Sequence, residues 1–262
     1  MVELSTTTNR ISEVKIPDDI RSISIVLPAH DEEENIIEAI KRAIDIVAQL
    51  PFEDYEVIVI DDGSSDRTAE LVNALQDENP KIELIEHSDN IGYGASLKSG
   101  LRAANGDIVF FTDADLQFDM NELPEFITAL SNTDMVIGYR FRRPEHFIRR
   151  FNAYCWGILI RVLFGLKVKD IDCAFKVFRQ EVLQSIQMDS IGAFINSEIL
   201  IRAGDIGFGI VELPVTHFPR KAGNSSGAKP KVIFKAFKEL FKLYGILKRK
   251  GYHPRQNRAY SS

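Results

Sequence analysis

Short β-branched runs alternate with stretches of helical apolar spacing through the first half of the chain. Ile23-Ser-Ile-Val-Leu27, Tyr55 to Ile60, Ile82 to Glu86 and Ile108 to Thr112 read as strands. Between them, Asp31 to Leu50 predicts a helix with Ile36, Ile37, Ile40, Ile44 and Val47 on one face and acids in its first turn. Asp66 is placed to cap a helix running to about Gln76, and Gly94 to Ala104 predicts a third. The alternation implies an open, mainly parallel α/β sheet. The second half is less regular. Strands are expected at Met135 to Gly138, Ala174 to Phe178 and Phe208 to Leu213, and helices at Ile148 to Phe164 and Asn196 to Gly204. Gly223-Asn-Ser-Ser-Gly227 reads as a flexible loop. The organisation expected is a polar lead-in over 1–20, one α/β domain over 21–229, a helix over 230–250 and a disordered tail over 251–262.

Open α/β sheets bind ligands beyond the carboxyl ends of their strands, and the polar clusters fall there, after Leu27, Ile60 and Thr112. Asp113-Ala-Asp115 follows a strand directly, and two carboxylates at i and i+2 can share a hard divalent cation with phosphate oxygens. A bare pair of acids is as readily a solvated turn; its strand context and the other strand-end acids favour the site. Asp61 and Asp62 end another strand, where a carboxylate can accept a hydrogen bond from a nucleobase N–H. A Gly63 turn capped by Asp66 accounts for those two residues but does not require Asp61. Asn90-Ile-Gly-Tyr-Gly94 is no dinucleotide fingerprint, because the third glycine would fall at Leu97. Its glycines permit close backbone approach at a helix start, and Lys98 either meets phosphate or is solvated.

Composition narrows the field. With 45% hydrophobic and 27% charged residues the chain is an ordinary globular protein. Cys155 and Cys173 are too few for a disulfide framework and lack metal spacing, which points to a reducing compartment. No run of 18 apolar residues predicts a spanning helix, and Met1 to Asp19 has no signal-peptide core. The net charge of −6 divides unevenly: from Lys229 onward ten Lys/Arg face Glu239 alone, leaving the rest at −15. An acidic body argues against general nucleic-acid binding, and a basic tail suits an anionic surface.

Leu27-Pro-Ala-His-Asp-Glu-Glu-Glu-Asn35, Val59-Ile-Asp-Asp-Gly-Ser-Ser-Asp66, Asn90-Ile-Gly-Tyr-Gly94 and Thr112-Asp-Ala-Asp-Leu-Gln117, in this order and spacing, resemble the serial motifs of family 2 glycosyltransferases. More narrowly they resemble the branch acting on dolichyl or polyprenyl phosphate. The resemblance covers roughly Ser22 to Lys229 and implies a GT-A fold, a nucleoside-diphosphate hexose donor and Mg²⁺ or Mn²⁺. By position it implies that Pro28, Ala29 and Glu32 line the nucleoside pocket and that Asp61 meets the base. Asp113 and Asp115 would hold metal and diphosphate, with Ala114 between them and Gln117 beside them; Lys98 is a further donor-site candidate. It implies catalytic roles for Asp115, for Arg140 and Lys176 near the acceptor phosphate, for Glu198 as an acid near the site, and for Arg220 as a diphosphate clamp. Two departures stand out. His30 replaces a common tyrosine, and Ser226 stands where the dolichyl-phosphate enzymes carry a lysine, with Lys221 and Lys229 out of register. Arg142, Arg143, Arg149 and Arg150 read as surface charges, and His87 and His217 as ordinary histidines.

The expected reaction is an inverting hexosyl transfer. A hydroxyl acceptor would need an Asp or Glu general base. A polyprenyl phosphate is already an anion, and the chain is richer in candidate cations than in one obvious base. The alternatives are the same fold with a hydroxyl acceptor, or an inactive nucleotide-sugar-binding or scaffolding protein at the membrane surface. A nucleotidyltransferase is disfavoured because Pro28-Ala-His-Asp31 has no glycine. Over Lys231 to Lys250, at about 100° per residue, Lys231, Lys235, Lys238, Lys242 and Arg249 share one side. Ile233, Phe237, Leu240, Phe241, Tyr244 and Leu247 share the other. Such a helix fits a membrane surface or packing on the body. The expectation is a cytoplasmic enzyme, peripheral on the membrane and without a spanning anchor of its own.

Overall fold

The computed structural model describes residues 14–141, 147–220 and 230–252, with only the backbone for 147–153 and 230–231. Outside it lie most of the lead-in, Arg142, Arg143, Lys221, Ser226, Lys229 and the tail from residue 253, together with the side chains of Arg149, Arg150 and Lys231.

Seven strands form one sheet: β1 (Ser22–Ala29), β2 (Asp54–Asp61), β3 (Ile82–Glu86), β4 (Ile108–Thr112), β5 (Met135–Arg140), β6 (Phe175–Arg179) and β7 (Ile210–Val215). Their order is β3-β2-β1-β4-β6-β5-β7. β1 pairs in parallel with β2 and β4, and β5 with β7, while β6 runs antiparallel between β4 and β5. Every residue of β4 is buried, as are residues 23–29 of β1. Strands covered on both faces read as continuous apolar runs rather than alternating ones, which is why these two were legible.

The helices are α1 (Ile36–Val47), α2 (Thr68–Glu78), α3 (Tyr93–Ala103), α4 (Leu123–Ala129), α5 (Phe147–Phe164), α6 (Gln180–Ser185), α7 (Ile195–Asp205) and α8 (Pro230–Arg249). At Gly100 of α3 an added Cβ would lie 2.4 Å from Ile60 Cδ1 and 2.5 Å from Val26 Cγ1, so only glycine lets this helix lie so close to β1 and β2. Because β2 and β4 flank β1, the connections leaving β1 and β4 diverge and open a crevice at their carboxyl ends.

Three expectations change. α1 begins at Ile36, five residues later than Asp31. Asp31 takes φ +54°, and the amides of Asp31, Glu32 and Glu33 donate to Ser64 Oγ, Thr68 Oγ1 and Asp66 Oδ2. The acids thus tie two strand-end loops together instead of opening a helix, and Ile37 is left exposed. α4 was not anticipated, although Leu123, Phe126, Ile127 and Leu130 are buried at helical spacing behind Pro124.

The third change concerns α8. Its Leu240, Leu243 and Leu247 are buried, Phe237 meets Trp156 at 5.3 Å between centroids, and Tyr244 meets Phe164 at 5.8 Å. The single apolar face expected from sequence therefore splits. One stripe packs on α5 and the body, and a second carries Ile233, Phe234 and Phe241 outward, with Phe234 74% and Phe241 57% exposed. α5 also exposes Tyr154, Ile158 and Val162. Among the described residues no helix is long and apolar enough to cross a membrane.

Candidate functional site

The crevice is lined by the ends of β1, β2 and β4. After β4, Leu116 adopts φ +60° and the Gln117 amide donates to Asp115 Oδ1 at 3.1 Å, so the chain turns back over Asp113 and Asp115. A strap from β7 crosses this turn. Phe118 bridges to His217, the Phe218 amide donates to the Gln117 carbonyl at 2.7 Å, and Gln117 Nε2 donates to the Phe218 carbonyl at 2.9 Å. The strap delivers Arg220, whose guanidinium donates to Asp115 Oδ2 at 2.6 Å and to Glu32 Oε1 at 3.4 Å. Glu32 is fixed in turn by Asn35 Nδ2 at 2.6 Å, and burial raises its carboxyl above the ordinary range against the pull of Asn35 and Arg220. One cation therefore joins carboxylates from the ends of β1 and β4. Gln117 serves the strap as well as standing beside the acids.

Asp113 is the other half of the pair. Burial, then the neighbouring Asp115 charge, pushes its carboxyl up to about 7, opposed by Tyr93, Arg220 and Lys176. Its Oδ1 is buried without a hydrogen-bond partner. Two close carboxylates that resist joint ionisation, one with an orphaned oxygen, fit a hard divalent cation. Mg²⁺ and Mn²⁺ take few protein carboxylates and complete their shells with substrate phosphates and water. Among the described residues no group of three or more His, Cys, Asp or Glu side chains is arranged to hold a metal ion.

Asp61 and Asp62 divide their work. Asp61 is buried and accepts the Ser64 amide at 3.0 Å and the Ser64 hydroxyl. The turn therefore does engage Asp61, contrary to the sequence expectation. Asp62, the second of these strand-end acids, accepts Gly92 N at 2.9 Å, Ile91 N at 3.2 Å and His87 Nδ1 at 2.8 Å. Its own amide donates to the Ala29 carbonyl at 2.9 Å. Pro28 and Ala29 close β1 in register with Ile60 and Asp61, which places the expected nucleoside wall beside these acids. His87 is held between Asp62 Oδ1 and Ser99 Oγ.

Gly92 has φ +108°, and an added Cβ would lie 2.7 Å from the Ile191 carbonyl oxygen; one at Gly94 would lie 2.3 Å from that of Gly192. The close backbone approach expected here is therefore that of residues 191–192. Tyr93, between the glycines, stands beside Asp113 and Asn196; burial and then the Asp113 charge raise its phenol well above the ordinary value. Lys98, further along α3, is half-buried and joins no ion pair or hydrogen bond among the described residues.

Three expected catalytic residues are committed elsewhere. Lys176 is only 1% exposed; its ammonium donates to the Cys173 carbonyl and to Asn196 Oδ1 at 3.2 Å, and burial lowers its pKa. It lies within the sheet as a buried positive charge near Asp113 rather than open to an acceptor, because β6 is covered on both sides. Arg140 forks onto Asp170, with Nε to Oδ2 at 2.7 Å and a terminal nitrogen to Oδ1 at 3.0 Å. Glu198 accepts the Ser190 amide at 2.7 Å, the Asp189 amide at 3.1 Å and Arg202 Nε at 2.8 Å. It braces the 189–192 loop and is no open acid. The structure thus gathers Glu32, Asp113, Asp115, Ala114, Gln117 and Arg220 at one crevice, with Pro28, Ala29 and Asp61 at its β1–β2 wall.

Comparison with known proteins agrees with this geometry. Dodecaprenyl-phosphate galacturonate synthase of Rhizobium johnstonii is 28% identical over 231 residues, covering 85% of this chain and 66% of that protein. Dolichol-phosphate mannosyltransferase of Pyrococcus furiosus is 30% identical over 230 residues, covering 84% and 63%. The chain thus spans less than two thirds of either relative. Glucosyl-3-phosphoglycerate synthase from Mycobacterium tuberculosis, solved with Mn²⁺, UDP-glucose and phosphoglyceric acid, superposes with a TM-score of 0.62 at 18% identity, over 92% of this chain and 83% of that one. That likeness establishes the fold, GT-A, as the motifs implied. The strand-end acids and the Asp113–Asp115 turn all fall within residues 24–187, which match the model named "Glycosyl transferase family 2", and the chain belongs to that family.

Proposed function

We propose that the protein transfers a hexose, with inversion, from a nucleoside diphosphate to a polyprenyl phosphate at a membrane surface. The observation that carries the reading is the Glu32–Arg220–Asp115 bridge beside Asp113, a cation and two acids where a donor diphosphate would lie. Relatives whose names specify dodecaprenyl and dolichol phosphate support the acceptor class.

In this reading Pro28, Ala29, Glu32 and Asp61 hold the nucleoside, with Lys98 at hand for phosphate. Asp113 and Asp115 would hold Mg²⁺ or Mn²⁺ against the diphosphate, with Ala114 and Gln117 shaping the turn; the bound ion would supply charge neutralisation to the leaving group. Arg220 turns from Asp115 and Glu32 to the diphosphate oxygens, so that negative charge developing there meets a cation already in place. The acceptor phosphate attacks the anomeric carbon as an anion and needs no general base. Arg140 and Lys176 contribute positive charge from behind their Asp170 and Asn196 partners. The test is incorporation of labelled hexose into an organic-extractable, mild-acid-labile lipid, using a panel of UDP- and GDP-hexoses with polyprenyl phosphate. Donor hydrolysis without labelled lipid would reject the phosphate acceptor and favour a hydroxyl.

The exposed aromatic stripe of α8 supports the membrane surface as partner. It runs beside the basic stripe of Lys235, Lys238, Lys242 and Arg249, so apolar insertion and attraction to anionic headgroups act together. Replacing Phe234 and Phe241 together by Glu is expected to weaken co-sedimentation with phosphatidylglycerol vesicles by at least about tenfold, since each buried aromatic is worth roughly 1.5–3 kcal/mol. Unchanged co-sedimentation would remove α8 as the contact.

A further inference from the structure

The carboxylate of Glu239, the one acid of α8, turns away from the basic stripe and into the body. Its Oε1 accepts the amides of Ile191 at 3.1 Å and Gly192 at 3.2 Å. The other oxygen, Oε2, is buried without a partner. A Cβ added at Gly192 would sit 3.1 Å from that Oε2, a tight contact, so the carboxylate lies close against this glycine. The carbonyl side of the same two residues is pressed on Gly92 and Gly94, at the start of α3. From there the Gly92 amide reaches Asp62 at 2.9 Å, and the Asp62 amide reaches the Ala29 carbonyl at 2.9 Å.

These contacts form an unbroken chain from α8 to the ends of β2 and β1. At its middle, Tyr93 stands beside Asp113. Glu198 holds residues 189–190 from α7, so the 189–192 loop is gripped by one carboxylate from each of two helices. The Glu198 grip lies wholly within the domain. The Glu239 grip alone comes from the helix that carries the exposed aromatic and basic stripes.

We infer that Glu239 is a positioning residue for the donor site: it latches α8 to residues 191–192, and through them seats the Gly92–Gly94 turn against the strand-end acids. The inference rests on the glycosyltransferase reading and deepens it. The helix proposed to meet the membrane becomes part of the wall that shapes the nucleotide pocket, so disturbing α8 loosens donor binding.

Two substitutions separate the latch from plain charge. Glu239→Gln and Glu239→Ala both remove the negative charge from a basic helix, but only glutamine keeps an oxygen to accept the two amides. Binding of UDP and of GDP with Mn²⁺ is measured by titration calorimetry on the full chain, alongside thermal unfolding without ligand and phosphatidylglycerol-vesicle co-sedimentation. Glu239→Ala is expected to weaken nucleotide binding about tenfold, in the range found when supporting contacts of a site are removed. Glu239→Gln is expected to stay within about threefold of wild type. The two variants should co-sediment equally. Equal nucleotide affinity in wild type and Glu239→Ala overturns the latch, as does equal loss in both variants, which would mean that charge alone matters. If the wild-type chain binds neither nucleotide, the glycosyltransferase reading itself fails, and the latch falls with it.

Discussion

Asp115→Asn is expected to lower hexose transfer on the order of 10²–10³-fold, the loss typical when a group stabilising transition-state charge is removed. The fold should be unharmed. Asn keeps an oxygen for the Gln117 amide, which sits 3.1 Å from Asp115 Oδ1, and Arg220 retains Glu32. The substitution also removes the charge that helps to push Asp113 to about 7. With less repulsion Asp113 ionises more readily, which offsets the lost Asp115–Arg220 ion pair, so the ligand-free variant should melt close to wild type. Activity is then lost without a matching loss of stability, as expected where a site is kept charged for function. The measurement is a pair: initial rates at saturating donor, and Mn²⁺ affinity by electron paramagnetic resonance with nucleotide present. A variant that keeps both rate and Mn²⁺ affinity would exclude Asp115 from the donor site.

The same residues show what a sequence makes legible. The ends of β1, β2 and β4 could be read because buried strands appear as apolar runs, and each of these runs is followed closely by acids. The strap that brings Arg220 to Asp115 is different. It depends on the pairing of Phe118 with His217, about a hundred positions apart, and no local pattern encodes it. The surroundings of Lys176 are hidden for a related reason. The family resemblance implies a place near the acceptor phosphate, but only the fold shows that β6 is covered on both sides and that Asn196 from α7 receives its ammonium. Glu198 and Arg202 are four apart on α7, so their pairing could have been read, whereas the Asp189 and Ser190 amides that Glu198 also holds could not. The helical wheel of α8 separates basic from apolar positions correctly. It cannot say which apolar residues pack inward, because Leu243 and Phe241 are equally apolar and only α5 and the body distinguish them.

Arg140 poses the sharpest case of one residue with two readings, and its partner decides between them. Asp170→Ala is expected to destabilise the protein by about 3–5 kcal/mol, because breaking a buried ion pair from one side strands the other charge. The side chains of Arg140 and Asp170 are 11% and 4% exposed, and Asp170 accepts two guanidinium bonds together with the Arg140 amide at 3.2 Å. The carboxylate therefore fixes both the end of β5 and the segment leading to β6, and its loss frees both at once. Asp170→Asn keeps the volume and one acceptor oxygen, so a smaller loss, roughly 1.5–3 kcal/mol, is expected. Urea denaturation at neutral pH reads both values as shifts in midpoint at constant slope. An acceptor-binding arginine predicts something else: freed from Asp170 but still charged, Arg140 would leave stability nearly unchanged and alter the KM for polyprenyl phosphate. A change of less than about 1 kcal/mol in Asp170→Ala, far below the buried-pair range, would reject the brace, and a raised acceptor KM in a variant of wild-type stability would return Arg140 to the acceptor site. Loss of stability with acceptor KM unchanged in the residual folded enzyme would place Arg140 in the scaffold, and leave Arg220 as the cation that meets substrate directly.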